Sequence, residues 1–154
     1  MALYIVALLI GVIAGLRTFT APAAVGWAAH LGWLSLQNTP FAFLGTAAAT
    51  YILTALAIAE LVTDKLPKTP SRKVPVSFAA RLISGAFCGA AIGAAGGALP
   101  GGLIAGLIGT VIGTLGGHGA RMRLAKVLGK DLPAALIEDL VAVGAAVLIA
   151  MAAR

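Results

Sequence analysis

Charged residues are scarce in this chain, and chemistry is most readily placed where they interrupt apolar runs. Arg17-Thr18-Phe19-Thr20-Ala21-Pro22 sets a guanidinium and two hydroxyls beside a proline, which removes a backbone donor and disturbs the preceding turn. Glu138 and Asp139 lie inside an apolar stretch, about 8 Å below its start at 1.5 Å per helical residue. Glu60 and Asp64 mark the exit of an earlier apolar stretch. An ionised carboxylate at a bilayer centre costs about 2.5–3.5 kcal/mol even on the gentlest scale, so such residues pair with a partner or face a cavity. A basic side chain, hydroxyls and a broken helix suit an anion or carboxylate. Glu138 and Asp139 suit either pairing with Lys and Arg or an ion or substrate site. Arg17, Thr18, Thr20, Glu60, Asp64, Glu138 and Asp139 are therefore the expected intramembrane polar site. A structural Arg–carboxylate pair locking the first and last spans is the equal alternative.

Other chemistries find no support. His30 and His118 fall at opposite ends of the expected bundle and make no metal site. Cys88 is the single cysteine, which rules out a disulfide or multi-cysteine metal site within one chain. No Ser/His/Asp set, His-Glu-x-x-His or P-loop occurs, and no strand precedes the glycines. No catalytic residue, metal or cofactor is expected.

The elements that must position these residues are apolar helices. The 154 residues are 60% hydrophobic and 10% charged, with a mean hydropathy of +1.04. Soluble domains carry about 25% charged residues, so this composition places the chain in a membrane as one domain over 1–154. The net charge of +6 sits at the ends of apolar runs, which points to membrane lipids rather than nucleic acid. Five spans are expected, over 2–33, 41–62, 76–98, 103–117 and 133–152. Residues 2–33 as one helix would measure about 48 Å against a hydrocarbon core of roughly 30 Å. That segment is steeply tilted, kinked at Pro22, or a span followed by an interfacial helix, with Trp27 and Trp33 at a membrane face.

Small residues organise the middle. Gly85, Gly89, Gly93 and Gly97 recur every four residues, and Gly102, Gly106, Gly109, Gly113 and Gly117 follow a short turn. Each series forms one stripe on a helix and lets backbones approach closely. A tight transmembrane hairpin is expected. The stripes serve packing within the chain or a homo-oligomer seam, a dimer being favoured. Basic residues Lys65, Lys68, Arg72, Lys73 and Arg81 gather after the second span, and Arg121, Arg123, Lys126 and Lys130 after the fourth, whereas 34–40 and 98–102 hold none. The positive-inside rule then sets both basic loops and the N-terminus in the cytoplasm. In that threading all five acids lie on the cytoplasmic side, and spans one and two echo spans four and five as a weak inverted repeat.

Gly15-Leu16-Arg17-Thr18-Phe19-Thr20-Ala21-Pro22, Ala59-Glu60-Leu61-Val62-Thr63-Asp64-Lys65-Leu66-Pro67-Lys68-Thr69-Pro70-Ser71-Arg72 and Leu136-Ile137-Glu138-Asp139 together resemble an uncharacterised bacterial integral-membrane family, catalogued as a domain of unknown function. The resemblance spans essentially the whole chain and is most specific in the middle stretch. It implies a small multi-span inner-membrane protein and supplies no activity, substrate or catalytic residue. Three functions compete. A permease-like transporter of a small solute or ion draws on Arg17, the acids and the broken span. A structural or assembly protein draws on the glycine stripes. An enzyme acting on a lipid phosphate would hold phosphate with Lys65, Lys68, Arg72 and Lys73, and use Glu60 or Asp64 as acid/base.

Overall fold

A computed structural model describes residues 2–66 and 74–153. The expected Lys68, Arg72 and Lys73 phosphate contacts lie outside these described residues. The fold is all-helical: α1 (Ala2–Leu16), α2 (Thr20–His30), a 3-10 turn (Ala42–Gly45), α3 (Ala47–Thr63), α4 (Pro75–Ala95), α5 (Leu99–Leu128) and α6 (Asp131–Ala152). Three of these, α4, α5 and α6, are long and apolar enough to cross a membrane, and α1 and α3 are shorter apolar helices. The bundle is a polytopic membrane fold with its glycine-rich hairpin, α4–α5, in the middle.

Local signals set the boundaries. Thr46 Oγ1 caps α3 by accepting from the Ala49 amide at 3.3 Å. Pro75 and Pro100 stand in the first turns of α4 and α5, where a missing N–H costs nothing. Gly97 (φ +70°) turns the chain between these helices, and Gly129 (φ +69°) ends α5 in the left-handed region. α5 continues without interruption past the expected end at Gly117 into its basic tail, 30 residues or about 45 Å in all. Asp131 is the first residue of α6, and its carboxylate accepts from Arg121.

The glycine stripes meet inside the chain. A Cβ on Gly89 would fall 2.8 Å from the Gly106 Cα, and one on Gly93 would fall 2.9 Å from the Gly102 Cα, both well inside van der Waals contact. Gly85 and Gly106 face each other in the same way. The second stripe has another neighbour, because α1 lies along α5. Gly11 faces Gly106, Gly15 faces Thr110 and Thr114, and Gly109 and Gly113 face the backbone at Leu8 and Val12. Gly97 departs from the expected stripe: nothing lies within 4 Å of its Cβ position, and its role is the turn. Gly117 is half-buried.

Direction is read from the same contacts. Tyr4 lies over Gly101, Leu8 over Gly109 and Val12 over Gly113, so α1 and α5 run the same way. Leu3 touches the Gly96 position, which puts the start of α1 at the 96–101 turn. The expected threading had the first and fourth spans opposed, with the N-terminus beside the basic loops. In the structure α1 instead begins at the far end from those loops, and an inverted copy of α1 in α5 is not present. The break near Pro22 also takes a different form. α1 ends at Leu16 and α2 folds back across it, so that Ile10, Ala24, Val25, Ala28, Ile92 and Ala150 line one small apolar gap. Residues 2–33 are thus a helical hairpin, with Pro22 in the first turn of its second arm.

α3 packs on α2 and on the Ala42–Gly45 turn. Trp27 Nε1 donates to Thr54 Oγ1 at 3.0 Å, and its ring meets Tyr51 and His30 edge-on, so this tryptophan joins α2 to α3. The outer faces of α3, α5 and α6 expose Tyr51, Ile52, Ile112, Leu115, Leu140 and Leu148, as lipid contact requires.

Candidate functional site

The turn between α1 and α2 leaves free carbonyls at the end of one helix and free amides at the start of the next. Side chains from three other helices meet them. Arg81 of α4 donates through one guanidinium nitrogen to the carbonyls of Gly15 (2.9 Å) and Leu16 (2.7 Å). Ser84 Oγ donates to the Thr18 carbonyl at 2.6 Å, and Thr114 Oγ1 of α5 donates to Gly15 at 3.3 Å. On the other side Glu60 of α3 accepts from the Thr18 amide through Oε1 (2.6 Å) and from the Phe19 amide through Oε2 (2.8 Å). A cation therefore sits on the C-terminal carbonyls of α1 and an anion on the N-terminal amides of α2, the favourable sense at both ends of a helix dipole.

Arg17 occupies the middle of this arrangement and is fully buried. One terminal nitrogen donates to Asp64 Oδ2 and the other to Asp139 Oδ1. Lys65 Nζ donates to the second Asp139 oxygen at 2.6 Å and to the Leu61 carbonyl at 2.9 Å. Among the described residues, Arg17, Lys65 and Arg81 against Glu60, Asp64 and Asp139 make three positive and three negative charges, formally neutral. A single buried guanidinium without these partners would cost several kcal/mol. Three buried polar atoms have no hydrogen-bond partner among the described residues: Arg17 Nε, Thr20 Oγ1 and Arg81 Nε, the last on a guanidinium whose other nitrogens are engaged.

Of the residues expected to form one intramembrane site, the structure gathers Arg17, Glu60, Asp64 and Asp139, with Thr18 entering through its backbone and Thr20 buried alongside. Glu138 is turned elsewhere, 3.7 Å from Arg121, which also holds Asp131 at 2.7 Å. Adjacent residues on a helix point about 100° apart, so Glu138 and Asp139 face different neighbours. Lys65, expected to bind phosphate, is instead a member of the carboxylate cluster. The break between α1 and α2 frees backbone groups that need hydrogen-bond partners. Glu60, Arg81, Ser84 and Thr114 supply them, and the Thr20 hydroxyl takes no part.

Arg81, Ser84 and Thr114 are site members that the sequence alone did not single out. The signal was present: Arg81 stands six residues inside an apolar helix, the same cost argument that singles out Arg17. Among the described residues no three His, Cys, Asp or Glu side chains gather as a metal site. At the opposite end of the bundle a recess of about 380 Å³ is lined by His30, Ser35, Gln37 and Thr46, and His30 Nδ1 lies 3.0 Å from the Gly45 carbonyl.

Residues 4–153 match the family model described as a domain of unknown function (DUF4126), and the chain belongs to that family. No curated protein and no solved structure matches it.

Proposed function

We propose that this is a small permease-like protein of the bacterial inner membrane, which handles a small ion or solute at the charged cluster around the α1–α2 break. The observation that carries the reading is Arg17, fully buried at a helix break and bridged to carboxylates from two separate helices, α3 and α6. Ionisable groups inside a membrane bundle mark ion and substrate paths, and interrupted helices with their termini turned inward are how such paths bind charge. A neutral cluster can exchange one member for an arriving ion. Asp139 is shared by Arg17 and Lys65, so losing Lys65 leaves its charge still compensated.

In this reading the ends that hold Lys65 and residues 119–132 face the cytoplasm, and the start of α1 and the end of α6 face away from it. Membrane lipids cover the exposed apolar faces. A second reading, a structural or assembly protein, is favoured by the glycine contacts, which lock α1, α4 and α5 into one rigid unit. Those contacts lie within the chain, so a homodimer would use other surfaces, such as the exposed faces of α5 and α6. The lipid-phosphate enzyme is disfavoured because Glu60 and Asp64 are both engaged and neither is free as acid or base.

The test is charge movement by reconstituted protein on a solid-supported membrane during jumps in proton, sodium and small organic anion concentration. Wild type should give a transient current for at least one of these, and Asp139→Asn should abolish it. Silence in all three, or an unchanged current in the variant, would overturn the proposal.

A further inference from the structure

Two consecutive backbone amides, Thr18 and Phe19, grip both oxygens of one carboxylate at the N-terminus of the 11-residue helix α2. That carboxylate belongs to Glu60, on a helix whose main packing is against α2 and the Ala42–Gly45 turn. The turn 17–20 holds two further polar atoms that no described group satisfies: Arg17 Nε, on a side chain with no exposure, and Thr20 Oγ1, on a residue 6% exposed. Buried polar atoms of this kind are costly unless something supplies the missing bond. A donor N–H, a hydroxyl and two helix-terminal amides within four residues are the groups a small anion uses.

We infer that the α1–α2 break is a binding site for a small carboxylate, and that Glu60 is its tethered occupant in this conformation. The inference rests on the reading of the break as the working site and names the class of ligand it takes. Charge supports it. Glu60 and Asp64 lie one helical turn apart on α3 and leave together if that helix shifts. With Lys65, their chain neighbour, moving too, the described members of the cluster lose two negative charges and one positive, and an incoming carboxylate restores the balance. It would accept from the Thr18 and Phe19 amides in place of Glu60, with Arg17 Nε and Thr20 Oγ1 able to hydrogen-bond to it.

Chemical rescue tests this without any transport measurement. In detergent, Glu60→Ala should lower the melting temperature by roughly 5 °C, since it strips a charged partner from two amides. Formate or acetate at tens of millimolar should restore at least half of that loss, while sodium chloride at equal ionic strength should not. Wild type, with its site filled, should show no carboxylate shift, and adding Thr20→Val to Glu60→Ala should weaken the rescue. Equal shifts in wild type and variant, or none in the variant, would overturn the inference. Should Glu60→Ala fail to fold, Glu60→Ser, which also vacates the carboxylate position, is read by the same two outcomes. Rescue with no current in reconstituted protein would retain the carboxylate site and discard transport. Currents without rescue would retain transport and discard this ligand class.

Discussion

Arg17 shows what a single buried charge demands of its surroundings. Its partners come from α3 and α6, and removing it leaves Asp64 and Asp139 short of a cation in a site that water barely reaches. Arg17→Ala should destabilise the protein by about 3–5 kcal/mol, the usual cost of breaking a buried pair from one side. Asp139→Ala should cost less, because Arg17 keeps Asp64. The double variant should recover part of the summed loss, whereas Arg17→Ala with Glu138→Ala should be additive, since Glu138 faces Arg121. Thermal or denaturant unfolding of both cycles checks this, and additivity in the Asp139 cycle would remove the coupling. The sequence already pointed Arg17 toward Glu138 and Asp139, on its depth and on the lean of its side chain toward the side where the acids lie. It could not separate Asp139 from Glu138, because one residue of helix phase decides which of them meets α1. Nor could it place Asp64 against Arg17, because that required knowing that α1 stops there. Arg81 escaped notice because it was counted among loop charges, although its position six residues into α4 carries the same energetic argument as Arg17.

At the scale of elements, the α4–α5 hairpin was legible from glycine spacing and the absence of charge, and its contacts follow. Gly89→Leu should cost about 3 kcal/mol or more, because its Cβ position already lies 2.8 Å from the Gly106 Cα and the neighbour is backbone that cannot yield. Gly144→Ala is the matched control: nothing lies within 4 Å of its Cβ position, and the substitution should raise stability by up to about 1 kcal/mol through helix propensity. Melting temperatures of the two variants in one detergent decide the point, and similar values would mean that the Gly89 face does not rely on close approach. The α1–α2 hairpin was less legible. Pro22 drew the expected kink to itself, yet a proline in a first turn starts a helix more readily than it bends one. The true break lies at 17–19, where the carbonyls of α1 find Arg81, Ser84 and Thr114, and no local pattern in that stretch reveals partners about 60 to 100 residues away.

For the molecule as a whole, the helices are threaded so that every acid lies toward the end that holds the basic connections. α1 descends beside α5, α2 returns across it, and α3, α4 and α6 complete the alternation, so Ala2 and Ala152 share an end with the 96–101 turn. Composition and Lys/Arg asymmetry were enough to read a membrane bundle and to locate its basic side. They were not enough to place the N-terminus, because α1 carries no charge before Arg17 and so gives the positive-inside rule nothing to act on. The charged cluster depends on this threading, since only a descending α1 delivers Arg17 to Asp64 and Asp139. The most direct test is cysteine accessibility in membrane vesicles of defined orientation, with Cys88 replaced by Ala and single cysteines at Ala2, Asn38 and Lys130. The account predicts that Ala2 and Asn38 label together from one side and Lys130 from the other. Labelling of Ala2 together with Lys130 would contradict it.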